Sequence, residues 1–456
     1  MPKKEKEKKI KSNLPNLALN KPESVSILIM GFANLINKQL IKGILFLTIQ
    51  AAYIWFMVTK GMGALNGLFS LGTQKQGWVT PSGSKIPILA GGDNSMLLMI
   101  YGVAVIVLTI IFAGVYYANI NSARQMLALR NAGKKAPGFL YDLKSLLDQK
   151  FHVTLMTPSI IGILLFTILP LIFMILIAFT NYDKNHQPPG NLFDWVGLSN
   201  FTAILGANKL LAATFFPVLG WTLIWAVIAT ASNYILGIML ALLINKKGIR
   251  YKAMWRTIFV ITIALPQFIT LLVMRNMFND YGPINEFLVS VGAVASAARI
   301  QFLNNVLLAR LTVLIVNLWI GIPFTMLISS GILMSIPNDM YEAAKIDGAS
   351  PIKLFTKITM PYMIFVTTPY LITQFIGNIN NFNVIFLLTG GGPNTSTYYQ
   401  AGKTDLLVTW LYKLTANVRD YNLASTIGIV VFVISAAISL ITYRNSVAYK
   451  REEEFS

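Results

Sequence analysis

Long apolar runs separated by short polar ones set the pattern of this chain. Eight stretches are apolar enough and long enough to cross a bilayer, at residues 43–60, 96–120, 153–180, 214–244, 254–274, 307–335, 362–388 and 422–443. About 20 apolar residues in helical form span the hydrocarbon core, and a helix satisfies its own backbone there. The pattern predicts an all-α polytopic membrane protein with about eight transmembrane helices. A further run, "SVSILIMGFANLI" at 24–36, is shorter and is followed closely by Lys38 and Lys42. A run of that length is more often interfacial or buried than spanning. Were it to span, the sidedness of everything before span 1 would invert.

The composition fits that class. The chain has 456 residues, of which 55% are hydrophobic and 12% charged. Soluble proteins carry roughly twice that charged share. The formal net charge of +19 does not point to nucleic acid, because 26 of the 37 Lys and Arg fall on one set of alternate loops. Basic residues accumulate on cytoplasmic loops, so the bias places both termini in the cytoplasm. The leading "MPKKEKEKKIKSN" runs into no cleavable apolar segment; it reads as a solvated tail beside anionic lipid. Cysteine is absent, and His152 and His186 are far apart in the chain. Disulfides, thiolate metal sites and cysteine catalysis are excluded, and a histidine metal cluster is disfavoured.

Five regions follow along the chain: a basic N-terminal segment (1–42), two leading spans (43–120), a cytoplasmic amphipathic connector (121–152), a six-helix core (153–443) and a cytoplasmic tail (444–456). In the connector, Phe139, Leu140, Leu143, Leu146 and Leu147 recur at helical spacing. That suits a helix on the inner leaflet, and an ordinary amphipathic linker is the favoured reading.

The centres of the spans carry no ionisable side chain. Proton-coupled carriers need such relays, so proton coupling is disfavoured, whereas sodium coupling through backbone carbonyls stays open. A membrane-embedded enzyme would lack its acid or nucleophile. A substrate crossing these spans is neutral and polar. Span 7 carries "QFIGNINNF", in which Gln374, Asn378 and Asn381 are spaced by four and three and share a face, with Gly377 removing bulk beside it. Span 6 carries "NLWIGIPF", with Asn317, Trp319, Gly321, Pro323 and Phe324. Amides both donate and accept, which suits hydroxyl groups, and aromatic faces pack on sugar rings. Interhelical hydrogen bonding accounts for the same amides equally well.

Between spans 6 and 7 lies "IPNDMYEAAKIDGASPIKLFTKITMP", 336–361. Pro337 suits a helix start, Asp339 and Glu342 favour its positive end, and Gly348 is a natural stop. Ser350 then caps a second helix with Pro351 at its first position, and Pro361 marks the start of span 7. The reading is a helical elbow shaped either to dock or merely to connect. A later stretch, "GGGPNTSTYYQAGKT" at 390–404, ends like a phosphate-binding loop. Thr397 stands where that loop needs its first glycine, so the stretch is no ATP site. It reads as the stop of span 7 and a turn at the outer mouth.

The elbow resembles the EAA loop of ABC importer permeases, in Glu342-Ala343-Ala344, Gly348 and the closing Ile358-Thr-Met-Pro361, with Met360 in place of the more usual Leu. The continuation "NINNFNVIFLLTGGGP" and the later "AGKTDLLVTWLYKL" are similar to MalF-type permeases of maltose and maltodextrin importers. The resemblance implies a type I ABC importer permease fold working by alternating access. It implies that Glu342, Ala343, Ala344, Asp347, Gly348 and Pro361 couple to a separate ATPase. It implies sugar contacts at Ile320, Gly321, Phe324, Gly377, Asn378 and Asn381, to which the residue pattern adds Gln374. Gly377 stands where the enteric relative has Phe, and Phe324 where it has Tyr, so the sugar preference stays open: galacto-oligosaccharide, cyclodextrin and trehalose are alternatives. The implied partners are a MalG-like second permease, an ABC ATPase dimer that uses ATP and Mg, an extracellular sugar-binding protein, the oligosaccharide and membrane lipid. No nucleic acid is implied, and no cofactor is bound by this chain. The loop after span 3 lacks the extra domain of enteric relatives, which implies a Gram-positive cell membrane and a lipoprotein-type binding protein.

Overall fold

A computed structural model describes residues 21–80, 86–246 and 248–445; the expectations for the first 20 residues and for 446–456 fall outside them. Among the described residues, seven helices are long and apolar enough to cross a membrane, and one bent pair makes an eighth. In chain order the helices used below are α1 (Leu40–Ser70), α2 (Ser95–Asn131), α3 (Phe139–Leu147), α4 (Phe151–Ile177), α5 (Lys209–Asn245), α6 (Lys252–Ala264), α7 (Gln267–Met277), α8 (Val306–Leu333), α9 (Asn338–Ile346), α10 (351–379), α11 (Phe382–Thr389), α12 (Leu407–Lys413) and α13 (Tyr421–Asn445). Three of the long helices start with the same device. Asn94, Asn208 and Asn305 each accept hydrogen bonds from two of the first free backbone N–H groups, of α2, α5 and α8 respectively.

The chain divides into two compact units. The first holds residues up to Leu176 together with Thr180–Trp195. In it α1 and α2 cross closely, because Gly67 lies against Leu98 and Gly102 against Leu68. The run 24–36 does not span: Val25–Ile27 and Phe32–Ile36 form two short helical pieces joined at Gly31, whose φ is +83°. Asn119 of α2 holds this hairpin, accepting from the Gly31 N–H at 2.8 Å and donating to the Ser26 carbonyl at 2.9 Å. Asn34 donates to Gln39 at 2.7 Å and to Ser122 at 2.8 Å. The bends at Gly31 and Lys38 are fixed by these buried amides, so no single helix could run through. The loop between α1 and α2 carries a hairpin of β1 (Gly77–Val79) and β2 (Ile88–Ala90). At its base Asp93 accepts from the backbone of Gln74 and Thr73, which holds its carboxyl below the usual value.

The second unit holds Ile177–Phe179 and the chain from Val196. Its axis is the pairing of α5 with α8. Gly237 of α5 lies against Thr325, and Gly321 of α8 lies against the Asn233 amide. One buried cluster gathers Trp221 and Trp225 of α5, Val313 and Val316 of α8, Leu271 of α7 and Val384, Ile385 and Leu388 of α11. A second joins Phe215 and Val218 of α5 to Trp410 of α12 and Ile427 of α13.

Two spans differ from their sequence reading. Span 5, placed at 254–274, is not one rod: α6 and α7 meet at 90°. Pro266 cannot donate a helical hydrogen bond, and Leu265 before it takes an extended conformation. Span 7 is continuous backwards into the elbow, so Pro361 opens no new helix. A π turn at Phe355–Thr359 precedes it, and its wider register absorbs the missing donor.

Candidate functional site

Two features of the second unit carry chemistry: the elbow between α8 and α10, and a polar joint where broken helices meet.

The elbow forms as its residues dictate. After Pro337, α9 runs to Ile346, with Asp339 in its first turn and Lys345 in its last. It ends because Gly348 turns into the left-handed region at φ +76°. The Asp347, Gly348 and Ala349 N–H groups then bond back to Ala343, Lys345 and Ala344 carbonyls at 3.1, 3.0 and 2.9 Å. Ser350 starts α10, its hydroxyl accepting from the Lys353 N–H at 3.3 Å. Tyr341 and Thr359, hydroxyl to hydroxyl at 2.9 Å, tie the two arms. The outward side of this fixed bend is bare. Glu342, Ala343, Asp347, Gly348 and Pro361 are exposed, Ala344 is half-buried, and Ile346 and Ile352 are 87% and 76% exposed. Among the described residues Glu342 makes no ion pair and no side-chain hydrogen bond. Apolar residues and a carboxylate presented together on a rigid turn suit a protein partner better than water.

At the joint, α10 stops at Ile379 and α11 starts after Asn381. Gln374 and Asn378 stay on one face of α10, but Asn381 lies beyond its end, so the three do not form the single helical face that their spacing suggested. Asn381 is the cap of α11, accepting from the Val384 N–H at 3.3 Å. An amide cap competes with helix continuation, which is the physical reason for the break. The two asparagines still touch, Asn381 donating to the Asn378 side chain at 3.4 Å. Asn378 itself is buried, and its amide donates to Thr230 of α5 at 2.9 Å. Its carbonyl accepts from Trp225 at 3.1 Å. Gly377 is exposed with nothing within 4 Å of where a Cβ would sit, so no packing within this chain requires its small size. Ile320 packs on the tryptophan cluster, Gln374 is half-buried, and Phe324 is 42% exposed beside Tyr370.

Sequence reasoning missed four residues here. Thr230 and Asn233 of α5 lie in a span from which no polar residue was singled out. Gln267 follows the Pro266 break and accepts from Asn383 of α11 at 3.0 Å, so the two broken spans meet at one amide pair. For Gln267 and Asn383 the available signal was the breaker before each, Pro266 and the asparagines at 378, 380 and 381; Thr230 and Asn233 had none.

The stretch 390–405 is a knot. Gly390 and Gly391 take positive φ, Asn394 bridges to Gly402, and the Asp405 carboxylate lies where Gly391 has no side chain. Buried Asp405 accepts from Lys413 at 2.6 Å, Thr409 at 2.8 Å and the Gly402 N–H at 2.6 Å. This is no strand–loop–helix phosphate cradle.

Long apolar helices, interrupted where amides cluster and carrying an exposed helical elbow between two spans, define a polytopic membrane protein. The chain belongs to the family of binding-protein-dependent transport system inner membrane components, whose signature matches residues 233–448, including the elbow and the joint. It is 35% identical over 427 residues to the galactooligosaccharides transport system permease protein GanP of Bacillus subtilis, covering 93% of this chain and 97% of that one. It is 34% identical over 447 residues to the maltodextrin transport system permease protein MalC of Streptococcus pneumoniae, covering 96% and 99%. A bacterial ABC transporter involved in the import of the acidic polysaccharide alginate shares the fold, with a TM-score of 0.54 at 24% identity over 66% of this chain and 96% of that one. The chain is thus a transport component and not an enzyme.

Proposed function

We propose that this chain forms the translocation pathway of an ATP-driven importer for maltodextrin-type oligosaccharides. The observation that carries the reading is the elbow, an exposed bend whose Glu342 has no partner among the described residues and whose second arm runs on into the span that bears Asn378. Glu342, Ala343, Ala344, Asp347, Gly348 and Pro361 engage the ATPase pair, which binds the ATP and Mg. A MalG-like second permease completes the pathway, and an extracellular sugar-binding protein delivers the oligosaccharide. Closure of the ATPases swings the elbow, and α10 carries that motion to the joint at Asn378 and Asn381. Ile320, Gly321, Phe324, Gln374 and Gly377 line the path beside them. Asn378 is bonded to Thr230 here, so a sugar hydroxyl reaches it only by replacing that partner.

The loop bias of Lys and Arg supports cytoplasmic termini. Full-length similarity to permeases of Bacillus and Streptococcus supports a Gram-positive membrane. Galacto-oligosaccharide is a second reading of the substrate, favoured by the equal likeness to GanP. The test is the purified importer in liposomes offered labelled linear glucans and galactans. Glucan accumulation supports the main reading, galactan accumulation alone selects the second, and accumulation of neither with an active ATPase rejects both.

A further inference from the structure

We infer that the connector between α2 and α4 is a docking surface for anionic phospholipid, held on the bilayer face by the two spans that flank it. The helix α3 is nine residues long, too short to persist in water by propensity alone. Yet Leu140, Leu143, Leu146 and Leu147 are all exposed, Leu140 and Leu147 by 71% and 70%. At about 100° per residue the four leucines fall within an arc of about 120°, a continuous apolar stripe. Lys144 sits at the edge of that stripe, where its aliphatic stem can lie along apolar surface while its ammonium rises to headgroup level. Lys134 and Lys135 precede the helix and Lys150 follows it. All four lysines are exposed, and none enters an ion pair among the described residues. Against them the segment sets only Asp142 and Asp148.

The stripe is held in place. At the front, Gln39 donates to the Pro137 carbonyl at 2.6 Å, fixing the connector to the N-terminal hairpin. At the back, the Lys150 N–H bonds the Ser145 carbonyl at 2.7 Å and Thr154 of α4 bonds the Leu146 carbonyl at 2.8 Å. Two of the last carbonyls of α3 are thereby satisfied, one by the residue before the next span and one from its first turn. Chain ends at Asn131 and Phe151, both belonging to membrane-crossing helices, keep the segment at the interface. An apolar stripe flanked by exposed lysines at that depth matches a surface of acyl chains beneath phosphates.

The absence of cysteine allows one label at a time. Full-length Leu143→Cys and Ser145→Cys chains, each carrying an environment-sensitive fluorophore, are placed in nanodiscs of phosphatidylglycerol or of phosphatidylcholine. Spin-labelled lipid and aqueous iodide serve as quenchers. In phosphatidylglycerol, position 143 is expected to be quenched by lipid and shielded from iodide, and position 145 the reverse. Phosphatidylcholine, or the combined Lys134→Gln, Lys135→Gln, Lys144→Gln and Lys150→Gln substitutions, lowers lipid quenching at 143 by about half or more, and Lys→Arg at the same four positions restores it. Equal quenching at 143 in both lipids, unchanged by the Gln substitutions, would overturn the recognition of anionic lipid. Iodide reaching 143 would show a solvated linker, and shielding from both quenchers would show a protein cover; either result overturns the proposal.

Discussion

Replacing Gly348 isolates the shape of the elbow from its chemistry. The residue sits at φ +76° with nothing within 4 Å of a would-be Cβ. Alanine there loses no packing and meets no clash, so its cost is backbone strain alone, about 1–2 kcal/mol. Asparagine visits the left-handed region more readily and costs less. Proline holds φ near about −65° and cannot take the turn; it also deletes the N–H that bonds the Lys345 carbonyl at 3.0 Å. A strain of 1–2 kcal/mol shifts the fraction of correctly bent elbow by about 5- to 30-fold. ATP-dependent sugar uptake should therefore rank Gly, then Asn, then Ala, with Pro abolishing it. Because the elbow is exposed, the amount of chain in the membrane should be the same for all four. Uptake by Gly348→Pro at the level of the parent would refute the reasoning, as would equal loss for Asn, Ala and Pro.

Glu342→Lys should abolish uptake while the chain stays in the membrane, since the carboxylate has no partner within the described residues to lose; normal uptake would remove it from the coupling role. Asn378→Ala with Asn381→Ala should impair transport more than assembly, whereas Thr230→Val deletes the same 2.9 Å bond, worth about 0.5–1.5 kcal/mol, without removing either asparagine. If Thr230→Val reduces transport as much as the double substitution, the amides act as interhelical glue. Lys413→Met leaves the Asp405 carboxylate fully buried without its cation and should lower stability by about 3–5 kcal/mol. Adding Asp405→Asn should recover much of that in thermal melting of the purified chain, and an unchanged melting point for Lys413→Met would contradict the network. Gly321→Val brings a Cβ up against the Asn233 amide, a group that can swing aside, so the cost should fall at the low end of about 1–3 kcal/mol and appear as a small drop in melting temperature; an unchanged melting point would contradict the close approach.

The spans were legible because apolar length has one meaning in a bilayer, and the elbow because Pro337, Gly348, Ser350 and Pro351 each act locally. The places where reading failed depend on partners distant in sequence. Pro266 announces a break but not its 90° angle, nor that Leu271 of α7 packs with Val384 and Ile385 of α11. Gln374, Asn378 and Asn381 fit one helical face on paper, and the helix end at Ile379, with Asn381 capping the next helix through Val384, is what separates the last of them. Thr230 and Asn233 carry no signal within an apolar span until α8 and α10 are laid against them. The run 24–36 was ambiguous by length, and its fold turns on Asn119, some 90 residues away by the hydrogen bonds it makes.

The central claim is that pathway and motor are separate polypeptides joined at the elbow. The most direct measurement compares sugar accumulation in liposomes holding this chain alone with liposomes holding it beside its second permease, ATPase subunits and binding protein, both supplied with ATP. Accumulation against a gradient only in the complete assembly, and its loss there with Glu342→Lys, is the result expected. Concentrative uptake by the isolated chain would contradict the account.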